Sequence, residues 1–412
     1  MPMFSIPLSG LTASSMALSN IANNIANQNT VGYKETRTEF RDLFYQTLGS
    51  SGSGDPLQIG AGTAVGAIAS DFTSGSVEQS GVPTDVAIMG DGFFVVQKDG
   101  VTQYTRAGDF SRDSSGMLVT SEGQQVMGYP ASKGIVNTGM GVVPIDLSNG
   151  AISPANATTS VELRTNLDAR ATVDDPAFST PVKIFDSLGD KHILTFTFAK
   201  VDANTWSYDI SIPGADVGKT DPVSVKNGQL TFNGDGTLAT PAADVADIGI
   251  SKLANGASDV AFTWKIYDGG SATVTQMADT SNTSSAQQDG YGSGTLSNFD
   301  IQSDGSVMGT FSNGKTAVLA QLALANFANV QGLSRSGKND FSDTLASGAP
   351  VVGIPGTGGR GTVSGGALEL SNVDIASEFA DLITAQRAFQ ANARTITTFD
   401  DIMQETINLK HD

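Results

Sequence analysis

The chain contains no cysteine, which excludes disulfides, thiolate nucleophiles and cysteine-ligated metals at the outset. Its two histidines, His192 and His411, leave almost no material for a histidine-centred acid, base or metal site. Cations are scarce as well: 23 Lys and Arg stand against 42 Asp and Glu, a formal charge of −19. Nucleic acid and anionic membrane surfaces are held by clustered Lys and Arg, so neither is an expected partner. Acidity of this size suits a self-associating protein that has to stay soluble. No apolar run approaches the roughly 20 residues of a membrane span, so no membrane insertion is expected. The opening MPMFSIPLSGLTASSMAL lacks the basic start and continuous apolar stretch of a cleavable secretory signal. The expectation is a chain that stays in the cytosol or is exported by a route that reads no such signal.

Glycine and proline number 47 and 14 in the whole chain, yet both are missing from 371–409. This stretch reads as one long helix, with Ser371 and Asp374 as a capping-box-like start and Asp374 and Glu378 at the positive end of its dipole. Ile375, Phe379, Leu382, Gln386, Phe389, Ala393 and Ile396 alternate steps of four and three, which keeps one seam facing one partner. Phe4, Leu8, Leu11, Ser15, Leu18, Ala22 and Ile25 repeat that spacing at the other end, with Pro7 in a tolerant first turn and Gly32 as a stop. Both termini are therefore expected to be helical seams, paired as a coiled coil. The N-terminal one is rich in Ser and Asn and weak in isolation.

Between the ends the pattern is that of short strands. Residues 33–72 read as a connector broken by the Gly/Ser run 49–54, and strands are expected at 85–88, 92–97, 103–106, 116–120 and 125–128. A boundary stretch, 131–159, precedes strands at 161–166, 181–185, 192–198, 205–212, 229–232, 249–253 and 260–267. A polar run over 280–293 closes this group, and strands return at 295–301, 306–311 and 315–324. The simplest arrangement is mainly β, nested and elongated: 1–32 with 367–412 as the terminal helical domain, 33–72 as connector, 73–145 with 291–366 as an inner β-domain, and 146–290 as an inserted outer β-domain.

Candidate chemical motifs have plainer explanations. Gly90-Asp91-Gly92 lacks the third glycine and the helix of a dinucleotide loop and reads as a turn before a strand. Asn233 to Thr237 and Ser303-Asp304-Gly305 lack the terminal bidentate Glu of a calcium loop and read as hairpin turns. Asp400 with Asp401 reads as a solvated helix face, and Phe327 equally as a binding aromatic or a strand end. No catalytic residue, metal site or cofactor is expected, and the chain does not read as an enzyme.

The run Asn23-Asn24-Ile25-Ala26-Asn27-Gln28-Asn29-Thr30-Val31-Gly32-Tyr33-Lys34 closely resembles the N-terminal signature of the bacterial flagellar rod and hook axial proteins. LELSNVDIASEFADLITAQRAFQANARTI looks like that family's C-terminal signature, and DVAIMGDGFFVVQKDGVTQYTRAGDFSRDSSGMLVTSEGQQVMGYP resembles its shared β-domain. Within the family, length and the inserted domain favour hook-type members. The connector, with FRDLFYQTL and LQIGAG, is in places similar to the distal rod type, which is the alternative; a secreted β-rich adhesin is a more distant one. The resemblance implies a subunit of a hollow, flexible, curved extracellular tube, a universal joint passing torque from rod to filament. It further implies self-polymerisation, rod, cap and hook–filament junction proteins as partners, and passage through a type III export apparatus. The expected assembly seam is Leu8, Leu11, Leu18 and Ile25 with Ile375, Phe379, Leu382, Phe389 and Ile396. The signature residues are Asn24, Ile25, Ala26, Asn27, Thr30, Gly32, Tyr33 and Lys34.

Overall fold

In the computed structural model the chain is mainly β, with a long helix at each end. The structure describes residues 5–43, 46–50, 56–132, 134–148 and 152–408. The fold divides into two units, one formed by Met1–Ser148, Phe299–Gly309 and Ala317–Asp412 and the other by Asn149–Asn298 and Thr310–Thr316. Leu409 and His411 lie outside the described residues, as does Phe4.

In the first unit, helix α1 spans Ser5–Ala26 and carries no charged side chain, and helix α2 spans Ile375–Asn408, a length of about 50 Å. The start of α2 differs from the expected one. Asp374 accepts the amide hydrogen of Ala376 at 2.9 Å and is the cap, whereas Ser371 accepts from Val373 in the preceding turn. An aspartate directly before the first helical residue outcompetes a serine three positions further out. Helix α1 ends at Ala26, earlier than the expected stop, and 27–32 run on in turns to Gly32 at φ +67°.

The two helices lie side by side and antiparallel. Asn24 donates to Glu378 at 2.9 Å, and a Cβ placed on Gly10 would come within 2.9 Å of the Asn392 side chain. Those two contacts are fourteen residues apart on each helix, in opposite senses. Between them Ser14, Ala17 and Ile21 line one wall of a groove whose other wall includes Asp381, Ala385 and Ala388. The touching stripe is thus Gly10, Ser14, Ala17, Ile21 and Asn24, again with steps of four and three. Apart from Ile21 it is made of small and polar residues, which let the backbones approach closely.

The region read as a connector is a β-ladder. Strand β1, Thr36–Asp42, pairs antiparallel with strand β2, Thr63–Ser70, with one irregularity between Glu39 and Phe40. Gln46–Ser50 pairs likewise with Pro56–Ile59. Beyond it, Phe93–Lys98 is buried on both faces. Phe94 and Val96 point into a core with Val86, Leu118, Ile145, Val307 and Leu322. Phe93 and Val95 join Tyr104, Phe327 and Phe341 in a second core, where the Tyr104 and Phe327 rings meet edge-on at 4.8 Å. Phe327 is therefore core.

In the second unit, Phe178–Phe185, Lys191–Asp202, Thr205–Ile212, Val223–Phe232 and Leu238–Thr240 form one sheet in chain order. A second sheet holds Val245–Ile250, Val260–Lys265, Ser160–Asp168, Val274–Met277 and Asn282–Gln288. Their shared core centres on Trp264, whose ring meets Phe196 and Tyr208 at 5.3 Å each. The polar run over 280–293 is corrected here: it contains the strand Asn282–Gln288, in which no residue is buried. A strand with no dry face has no apolar alternation to announce it.

Candidate functional site

The signature residues gather where α1 leaves its partner and enters the β-framework. Asn24, almost fully buried, uses both ends of its amide: Nδ2 donates to the Thr36 carbonyl at 2.8 Å and to Glu378, while Oδ1 accepts from the Thr36 amide and the Tyr33 hydroxyl at 3.1 Å each. One side chain so joins α1, β1 and α2. Asn27 closes the helix end by donating to the Asn23 carbonyl, and Thr30 donates to Asn27. Ile25 is half-buried and Ala26 exposed. Gly32 is obligatory, since a Cβ there would fall 2.5 Å from the backbone of Arg106 and Ala107.

Two residues on, Lys34 is buried and its Nζ donates to Glu369 Oε1 and to the Thr73 carbonyl, both at 2.7 Å. Arg106 reaches the other carboxylate oxygen at 3.3 Å and donates to the Gly90 carbonyl at 2.8 Å. Glu369 also accepts from the Gly75 amide at 3.0 Å, and its carbonyl accepts from Gly32 at 2.8 Å. A fully buried carboxylate thus binds two cations and two further segments. Burial lowers the Lys34 and Arg106 pKa values, against the pull of Glu369 that raises them. Removing one member of such a group leaves an uncompensated buried charge, at a typical cost of about 3–5 kcal/mol. Around it, Arg335 donates to the Lys34 carbonyl at 2.5 Å, Asn339 to the Val31 carbonyl, and Asn372 accepts from the Glu35 amide at 2.7 Å. Chemically the arrangement is a clamp that fixes where both terminal segments leave the β-framework.

Beside the clamp, α1, β1 and α2 enclose a groove of about 350 Å³ lined by Ser14, Ala17, Thr38, Phe40, Glu378 and Asp381 among others. Glu378 is only 5% exposed, and its Oε2 has no hydrogen-bond partner among the described residues. Burial holds its carboxyl above the ordinary range; burial first and then the Glu378 charge do the same to Glu35.

The expected seam residues lie on or beside the face that the two helices turn to each other, at different depths. Leu8 and Phe379 are 54% and 49% exposed, and Ile375 is exposed as well. Leu11, Leu18, Ile25, Leu382, Phe389 and Ile396 are half-buried. Leu11, Leu18, Ile25, Phe379, Leu382 and Phe389 each follow by one residue a position that the two helices turn to each other. Sequence reasoning missed Glu369, Arg106, Arg335 and Asn372, which no local pattern marks, and took Glu378 for a dipole charge instead of the acceptor of Asn24.

Four sequence families match parts of the chain: flagella basal body rod protein at 6–34, flagellar hook protein FlgE/F/G D1 domain at 87–166, flagellar basal body protein FlaE D2 domain at 155–291, and flagellar basal body rod FlgEFG protein C-terminal at 364–409. The flagellar hook protein FlgE of Escherichia coli (strain K12) is 35% identical, with 99% of this chain and 100% of the relative covered. That of Treponema pallidum (strain Nichols) is 32% identical over 98% of each. A crystal structure of the Helicobacter pylori flagellar hook protein FlgE2 aligns with TM-score 0.48 and 16% identity, over 71% of this chain and all of that one.

Proposed function

The chain belongs to the flagellar hook protein family and is a structural subunit of the bacterial flagellar hook, and on that premise we propose how its fold serves assembly. Subunits polymerise into a hollow, flexible curved tube that transmits torque from rod to filament. The terminal helices form its inner layer as coiled-coil-like seams. Residues 73–145 with 291–366 form an inner β-domain, and 146–290 form an outer one. Rod, cap and junction proteins flank the polymer, which lies outside the cell after type III export, and the subunit performs no catalysis.

The observation that carries this reading is the division of labour on the helices. The small stripe through Gly10, Ala17 and Ala385 serves the pair within one chain, whereas Leu8, Phe379, Leu382 and Phe389 on the adjacent stripe remain exposed or half-exposed. Apolar side chains in a repeating four-three row gain from a partner, and a second copy supplies one. The clamp around Glu369 gives every copy the same helix exit, which a regular lattice requires. Leu382→Asp or Phe389→Asp places a charge on that stripe, where burial against a neighbour would cost several kcal/mol. Electron microscopy should show no polymer from either variant, while melting of the β-framework followed by circular dichroism stays at the wild-type value. Normal tubes from both variants would refute the seam.

A further inference from the structure

The groove beside the clamp gathers three carboxyl groups, Glu35 from the segment entering β1 and Glu378 and Asp381 from α2. Glu378 and Asp381 are three residues apart on one helix, a repulsive placement for like charges. The one cation lining the groove is Arg37, whose guanidinium lies 3.9 Å from Glu35 and is mostly in solvent. The unpartnered, buried Glu378 oxygen is therefore an acceptor with no donor of its own, in a groove with surplus negative charge.

The same unit carries two cations without acidic partners among the described residues. Helix α2 contains two cations, Arg387 and Arg394, and α1 contains none. Both arginines are exposed and neither makes an ion pair among the described residues. The positions three and four away from them hold Thr384, Ile383, Gln390, Ala391, Thr397 and Thr398, so no acid on the helix can reach them. Nor can the groove of the same chain. Arg387 and Arg394 lie two residues past Ala385 and Asn392, which is about 200° round the helix from the face turned to α1. They are seven residues apart and so share a side, spaced by about 10 Å.

We propose that the Arg387–Arg394 face of α2 in one copy docks into the Glu35–Glu378–Asp381 groove of a second copy. This rests on the polymer reading above and names the polar contact that sets its direction. Donor and acceptor lie on different faces of the subunit, so the contact is head-to-tail, the type from which an open helical assembly is built. In a chain of charge −19, neighbouring subunits repel, and a specific cation-to-carboxylate contact selects one approach among many.

The test uses two charge-reversed full-length chains, E35K/D381K and R387E/R394E, each checked for an unchanged melting transition. Alone, each should need a roughly tenfold higher concentration to polymerise at low salt. An equimolar mixture should recover wild-type assembly, because each variant then meets its complement only in the other copy. Wild-type assembly by each variant alone would overturn the docking contact while leaving the polymer reading intact, and so would a mixture no better than its components. Absence of polymer from the wild-type chain would instead remove the reading on which the contact depends. If a reversed chain melts early, the neutral pair E35Q/D381N and R387Q/R394Q takes its place. Polymerisation of either should then lose the salt dependence of wild type, and full retention of that dependence would overturn the contact.

Discussion

Glu378 shows how a residue can be seen in the sequence for one reason and used in the structure for another. A carboxylate in the first turn of α2 fits the helix dipole, but here it is buried against Asn24 with one oxygen left over. Its raised pKa is mainly the cost of that burial. The sign follows directly: the folded state holds this proton more tightly than the unfolded chain, so the contribution is fully present below the ordinary carboxylate pKa and is lost as pH rises through the elevated one. Glu35, shifted the same way, adds to it. Docking of the terminal helices on the clamp should therefore tighten in mild acid. Amide exchange of α1 and α2, expressed relative to the intrinsic rate of each amide at the same pH, should be more strongly retarded as pH falls. Glu378→Gln, which keeps the acceptor for Asn24 without a charge, should slow it at neutral pH and flatten most of the dependence. A dependence in the variant as steep as in wild type would assign the effect elsewhere.

At the scale of the element, what the sequence makes legible and what it hides are both visible in α1. Its four-three spacing is plain, and so is that of α2, but each helix carries two adjacent stripes with that spacing. Hydrophobicity singles out the stripe of Leu8, Leu11 and Leu18. The stripe that touches α2 is Gly10, Ser14, Ala17, Ile21 and Asn24, all but Ile21 small or hydrogen-bonding. Of the strands with apolar alternation, Thr205–Ile212 is legible to the residue and Lys191–Asp202 in all but its last four residues and its first. The polar strand Asn282–Gln288 is not, and neither is the bond from Lys34 to Glu369, which joins positions 335 residues apart. Close approach also makes the helix pair sensitive to size. A Cβ on Gly10 would already come within 2.9 Å of the Asn392 side chain, so that point has no room for a large residue. Gly10→Phe should force the helices apart at a cost of about 1–3 kcal/mol. Amide protection should fall along α1 and along the part of α2 facing it, with no change in the strands around Trp264. Unchanged protection of α1 would mean that the pair is held by the clamp alone.

For the whole molecule the decisive property is bending, and its argument begins with geometry common to any tube. Curvature brings subunits on the inner side of the bend closer than those on the outer side, and the difference in spacing grows with radius. Contacts at small radius can persist through the bend, whereas those at large radius must exchange. Large apolar contacts resist exchange; polar and hydrated ones shift at little cost. The helices, with their apolar row, have the character required at small radius. The proposed outer region, 146–290, has the other character. Its Trp264 core is closed, and surface strands such as Asn282–Gln288 present Asn, Ser, Thr and Gln. Replacing 146–290 by a short Gly/Ser linker should leave export and polymerisation in place, because the helices, the clamp and the core around Phe93 do not draw on it and the core around Phe94 loses only Leu147. The expected product is a straight tube under the electron microscope. Tubes as curved as wild type would locate the exchanging contacts in the remaining residues, and failure to polymerise would show that assembly itself depends on the inserted region.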